Sequence, residues 1–231
     1  MKEFDLESLN LYITNGVTVD SEYETVKTGF GITPDEFLRL AKSDLTASYD
    51  NHLLNSLTNT KRAIDSQLDS LLIGLGLFKK SKKERWRFPK KIEFLNDMGI
   101  ISPKILNKIN KKRNLLEHEY KNPIEEEVED ALDVAELFVE YTDKYLSPAL
   151  VHCELLDREL RGETYDEVLD LNMGVQYVNI KLDWKNCKLI LTHSQRINSK
   201  VERITAEIKA DQIEYEEYLK FYLNLYNVIN R

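Results

Sequence analysis

Core-facing positions recur at alternating intervals of four and three along Ile124, Val128, Ala131, Ala135, Phe138, Thr142 and Tyr145, which predicts a long amphipathic helix. Asn122-Pro123-Ile124-Glu125 supplies its start: a capping amide, proline at the first position and an acidic first turn that suits the helix dipole. The small residues Ala131 and Ala135 allow close helix contact, inside a bundle or across a dimer seam. Upstream, Thr33-Pro34-Asp35-Glu36 has the form of a capping box and predicts another helix start. Phe37, Leu38, Ala41, Leu45 and Tyr49 form its apolar side, and Leu53, Leu54 and Leu57 extend or follow it. A further amphipathic run through Ile64, Leu68, Leu71, Leu72 and Leu75 stops at Gly74 to Gly76, where glycine ends a helix cheaply. Ile92, Phe94, Leu95, Met98 and Ile100 make a short apolar patch. Ser102-Pro103 then opens a helix with Ile105, Ile109, Leu115 and Leu116 on its inner side.

Beyond Ser147-Pro148 the period falls from helical to two. Val175, Tyr177, Asn179 and Lys181 alternate with Gln176, Val178, Ile180 and Leu182, and Leu189-Ile190-Leu191 follows a turn at Asp183 to Asn186, which predicts a β-hairpin. Pro148 to Leu156 reads as a further strand, and Lys200 to Lys209 as a strand or a helix. Gln212 to Ile229 carries Tyr215, Tyr218, Leu219, Tyr222, Leu225 and Tyr226 at helical spacing, a stripe suited to a core or an interface. The expected fold is α+β, mainly α. It comprises a capping segment (1–33) readable as helix or extended chain, an antiparallel four-helix bundle (34–146), and a C-terminal region (147–231) with a hairpin and a terminal helix.

Charge changes this picture in one place. The net charge is −8, which argues against bulk nucleic-acid coating, yet residues 79–91 hold eight lysines and arginines against Glu84 alone. Trp86 and Phe88 interleave with them, and Pro89 interrupts any single helix. Two readings stand. Lys83, Arg85, Trp86 and Arg87 hold single-stranded RNA by phosphate neutralisation and base stacking, or the segment is a solvated loop whose aromatics tuck inward. Cys153 and Cys187 are too few for a zinc cage or a disulfide framework, and His52, His152 and His193 lack partners at metal-ligand spacing, so neither a metal nor a cofactor is expected. No glycine-rich phosphate loop or Gly-x-Ser-x-Gly elbow occurs. The opening residues lack a secretion-signal pattern and no apolar run is long enough to span a bilayer, giving the expectation of a cytoplasmic protein without membrane contact.

The remaining chemistry gathers in Lys111-Lys112-Arg113-Asn114-Leu115-Leu116-Glu117-His118-Glu119-Tyr120. At about 100° per residue, Leu115 and Leu116 continue the inner stripe. Asn114 and His118 share an outer flank, and Arg113, Glu117 and Tyr120 lie along the neighbouring one. Lys104, Lys108, Lys111 and Lys112 make the approach basic. Arg113-Asn114, three residues, then His118-Glu119-Tyr120 resembles the RNxxxHxY form of the Arg-x4-6-His motif of HEPN domains, over about residues 34–146. The bundle is thus expected to be HEPN-like. That resemblance implies metal-independent RNA cleavage by two protomers facing their motifs together, in a toxin or antiviral setting, with an antitoxin or nucleotidyltransferase as partner.

For the cleavage the resemblance implies, an imidazole titrating at about 6.5 exchanges protons at neutrality, so His118 suits general acid–base work on a ribose 2′-hydroxyl. Arg113 offers permanently charged planar donors to phosphate oxygens, and Asn114 a hydrogen bond to phosphate or imidazole. Tyr120 is a phosphate contact or, as the resemblance implies, a site of nucleotide modification. The competing reading is structural: Glu117, four residues after Arg113, pairs with it, His118 meets the helix dipole, and Tyr120 packs beneath the next helix. A non-catalytic HEPN-like module binding nucleotide, RNA or a protein is the second functional expectation. An adaptor using the tyrosine-rich terminal helix is the third.

Overall fold

Thr33 starts the first helix by reciprocal capping. Its hydroxyl accepts the Glu36 backbone N–H at 3.2 Å, while the Glu36 carboxylate accepts the Thr33 N–H at 2.7 Å. This helix, α1 (Pro34–Leu45), belongs to a computed structural model that describes residues 9, 10, 13, 16–101, 122–157, 177–197 and 200–229. Within these residues the chain gathers into two units: Thr25–Gly74 with Ser81–Pro148, and the residues up to Glu24 with Leu75–Lys80 and everything from Ala149 onward.

The first unit is helical. Its centre is α2 (His52–Gly74), which packs against both α1 and α5 (Glu125–Asp143). Ala63, Ile64, Leu68, Leu71 and Leu72 of α2 are at most 1% exposed, so the helix is enclosed on more than one side. Its buried polar groups tie the helices together. The Ser56 hydroxyl donates to the Ala41 carbonyl of α1 at 2.8 Å, and the Gln67 amide donates to the Thr142 hydroxyl of α5 at 2.9 Å. Leu53, Leu54 and Leu57 belong to α2 rather than to an extension of α1. Likewise α5 begins at Glu125, after Pro123, and its N-cap Ile124 has no side-chain acceptor. The Glu127 carboxylate accepts the Ile124 N–H at 3.5 Å instead. The basic segment is not a loop. It supplies α3 (Phe78–Lys83), whose first three residues are counted with the other unit, and, after a turn, α4 (Phe88–Asp97).

The second unit is a five-stranded antiparallel sheet in the order β1 (Gly16–Glu24), β2 (Ala149–Asp157), β3 (Tyr177–Asp183), β4 (Lys188–Ile197), β5 (Lys200–Lys209). Strict alternation on β3 buries Val178, Ile180 and Leu182 while Tyr177, Asn179 and Lys181 lie on the other face. Val151, Cys153, Leu155, Leu189 and Leu191 extend the apolar face. Helix α6 (Tyr215–Ile229) packs against β4 with Tyr215, Leu219, Tyr222 and Leu223 buried. Two of its tyrosines have their hydroxyls satisfied by backbone: Tyr215 donates to the Leu75 carbonyl at 2.8 Å and Tyr222 to the Leu150 carbonyl. Gly76 has to be glycine here. Its φ is +72°, and a Cβ there would stand 2.9 Å from the Tyr215 hydroxyl and 3.1 Å from the Cys187 Cα.

The expected antiparallel four-helix HEPN-like bundle is overturned. The described residues form an α+β fold of six helices and a five-stranded antiparallel sheet. The physical reason lies in pairing: Gly16–Glu24 takes as its partner a strand that begins only at Ala149, beyond all the helices of the first unit. The stretch after Gly76 breaks into two short helices. Helical periodicity identifies a helix but not what it packs on. Among the described residues no helix is long and apolar enough to cross a membrane.

Candidate nucleic-acid interface

Between α3 and α4 the chain alternates outward and inward one residue at a time. Arg85 and Arg87 are exposed, whereas Trp86 and Phe88 are 7% and 8% exposed. Arg85 takes φ 56°, the left-handed conformation that ends α3 and turns the chain. The Trp86 N–H then donates to the Ser81 carbonyl at 2.8 Å. The indole packs with its centroid 5.3 Å from that of Phe94, and its Nε1–H donates to the Glu84 carboxylate at 2.7 Å. Trp86 is thus the anchor of the turn. The expectation that its ring offers a stacking surface to RNA bases is corrected, because that surface is covered by the core. The alternative in which the aromatics tuck inward describes them, although the segment carrying them is helical.

The cations divide into two groups. Asp69 of α2, 17% exposed, accepts from Lys91 and, at 3.2 Å, from Lys82. Lys91 is itself buried, and pairing with hydrogen bonding is what makes a buried ammonium tolerable. Lys90 sits 3.4 Å from Glu84 and 4.7 Å over the Trp86 ring. Lys83, Arg85 and Arg87 are exposed and enter no ion pair with a described residue. These three carry the turn's net positive field toward solvent.

Of the residues singled out in the sequence, Lys83, Arg85, Trp86 and Arg87 lie in this turn. Arg113, Asn114, Glu117, His118 and Tyr120, with Lys108, Lys111 and Lys112, lie outside the described residues. Sequence reasoning missed Asp69, although a lone carboxylate among Leu68, Ser70, Leu71 and Leu72 signals a buried partner. It also missed a second cluster. On the polar face of the sheet His152 meets Asp20 and Glu22 of β1 and Asn179 of β3, partners that no spacing along the chain reveals. Cys153 lies on the apolar face, where burial, with Asp20 and Glu154 nearby, pushes its thiol up to about 12 and so disfavours the thiolate.

Comparison with protein-family models, curated proteins and solved structures finds no match.

Proposed function

We propose that this chain is a metal-independent endoribonuclease of the HEPN-like kind. The observation that carries this reading is the Arg113-Asn114…His118-Glu119-Tyr120 spacing, set directly before the Asn122-Pro123 approach to α5. The exposed Lys83, Arg85 and Arg87, which belong to the helical unit that also holds α5, support it by offering phosphate contacts. In the proposed reaction His118 takes the proton of a ribose 2′-hydroxyl. The 2′-oxygen then forms its bond to the adjacent phosphorus as the bond from phosphorus to the 5′-oxygen breaks. Arg113 neutralises the crowded phosphorane, Asn114 orients phosphate or imidazole, and the leaving 5′-oxygen takes up a proton from a second acid, supplied by the imidazolium of a facing protomer. The setting is a toxin or defence system, with a homodimer as the active species and an antitoxin or a nucleotidyltransferase acting on Tyr120 as partner.

The test is a time course on labelled single-stranded RNA in excess chelator. The unsubstituted chain should cleave, and His118→Ala and Arg113→Ala should each lose about a hundredfold or more in rate with unchanged far-ultraviolet circular dichroism. Undiminished cleavage by His118→Ala, or its abolition by chelator in the unsubstituted chain, would overturn the reading. Glu117, four residues after Arg113, favours one second reading: a non-catalytic module that binds nucleotide, RNA or a protein partner through the same residues. RNA bound without products would select it.

A further inference from the structure

The polar face of the sheet brings together side chains that are far apart in sequence. β1 and β2 pair so that Glu22 stands opposite His152 and Asp20 opposite Glu154, and register irregularities at Thr18/Asp20 and Glu22/Tyr23 bracket this stretch. Such bulges bend a strand and re-aim its side chains. His152 Nδ1 lies 3.7 Å from the Asp20 Oδ2 and 4.0 Å from the Glu22 Oε1, too far for hydrogen bonds. It is nevertheless shut off from solvent and has no hydrogen-bond partner among the described residues. The imidazole is 12% exposed, while the two carboxylates are 61% and 58% exposed and free to swing. A buried nitrogen aimed between two carboxylates at these separations is unsatisfied as it stands.

We propose that Asp20, Glu22 and His152 form a binding site for a divalent transition-metal ion of the zinc class. Two ligand atoms each about 2.1 Å from a common ion lie at most about 4.2 Å apart. Both His152 separations fall within that reach. One ligand atom from each of the three residues lies within 4.8 Å of the others, so a small rotation of an exposed carboxylate closes the set. The imidazole nitrogen selects zinc-like ions over magnesium or calcium, which prefer oxygen alone. Three protein ligands leave at least one coordination position for water or a ligand. The Asn179 amide, 2.6 Å from Nε2 and 3.2 Å from the Glu154 carboxylate, holds the ring in place. Its amide nitrogen donates to Glu154, so metal binding at Nδ1, which requires the imidazole proton on Nε2, turns the Asn179 amide over to present its carbonyl oxygen to the ring and gives up the bond to Glu154.

The site is independent of the nuclease reading, and its test reads metal binding rather than RNA cleavage. Zn²⁺ is titrated calorimetrically into the chelator-stripped full chain, and Co²⁺ is followed by visible absorption. The unsubstituted chain should bind one Zn²⁺ per chain, and Co²⁺ should show ligand-field bands that Zn²⁺ displaces. Affinity should fall by at least about tenfold in Asp20→Asn/Glu22→Gln, whose exposed positions leave folding intact, and the Co²⁺ bands should be lost in His152→Gln. Glu207→Gln, an exposed carboxylate of β5 paired with Lys188, should bind like the unsubstituted chain. Absence of saturable Zn²⁺ binding, or binding unaltered in Asp20→Asn/Glu22→Gln, would overturn the proposal.

Discussion

The helical unit and the sheet unit each concentrate charge, by opposite means. In the helical unit the basic residues are nearly consecutive, and the fold pairs half of them internally. Of the six cations from Lys82 to Lys91, Asp69 takes Lys82 and Lys91 and Glu84 takes Lys90, while Lys83, Arg85 and Arg87 face solvent outside such pairs among the described residues. In the sheet unit nothing along the chain announces a cluster, yet three strands bring Asp20, Glu22, His152, Glu154 and Asn179 onto one face. A contiguous charge run therefore overstates the field that reaches solvent. A dispersed set of charges can understate it, because strand pairing joins residues of any separation.

The largest effect should come from breaking the basic turn at its anchor. Trp86→Ala should cost about 3–5 kcal/mol in a urea titration, since it removes a buried indole and leaves the Glu84 carboxylate without that donor. A loss below about 1 kcal/mol would mean the ring does not anchor the turn. The outward half should behave differently. Arg85→Ala/Arg87→Ala should change stability by no more than about 0.5 kcal/mol per site. It should weaken single-stranded RNA binding and lower the slope of log affinity against log salt by about 0.7 for each phosphate no longer neutralised.

Smaller effects sharpen the contrast between local and long-range construction. Thr33→Ala removes a cap built entirely within four residues and should cost about 1 kcal/mol by thermal or urea unfolding. The Thr33 backbone N–H and hydroxyl hold the Glu36 carboxyl below its usual range. The stabilisation from this pairing is present above the ordinary carboxyl range and is lost as pH falls through the lowered folded value, so the Thr33→Ala deficit should shrink in acid. In the sheet, burial lowers the pKa of His193. Its unfolded form binds a proton first on acidification, so stability should decline as pH falls from about 6.5 toward the lowered value. His193→Gln should flatten that segment of the pH–stability curve, and an unchanged slope would contradict the assignment.

What was legible in the sequence is what is local. The Thr33-Glu36 box, the end of α2 at Gly74, and the alternation of β3 are each fixed by neighbours within a few residues, and each is found where the spacing put it. Partner choice was not legible. Gly16–Glu24 read ambiguously because an edge strand needs only one paired side, and its partner lies in residues 149–157. The Trp86 ring was open to either reading because alternation in a short turn does not say which side is the core. Of the candidate nuclease residues, Arg113, Asn114, His118 and Tyr120 are known by their spacing and lie outside the described residues. The His152 cluster rests on cross-strand register, which spacing cannot encode.

The central claim is that this chain's own side chains break RNA by 2′-hydroxyl attack. Its most direct test is the end group left on a defined oligonucleotide after incubation with the purified chain in excess chelator. A 2′,3′-cyclic phosphate on the 5′ fragment, absent with His118→Ala, is the predicted result. A 3′-hydroxyl end, or identical products from the two proteins, would contradict it.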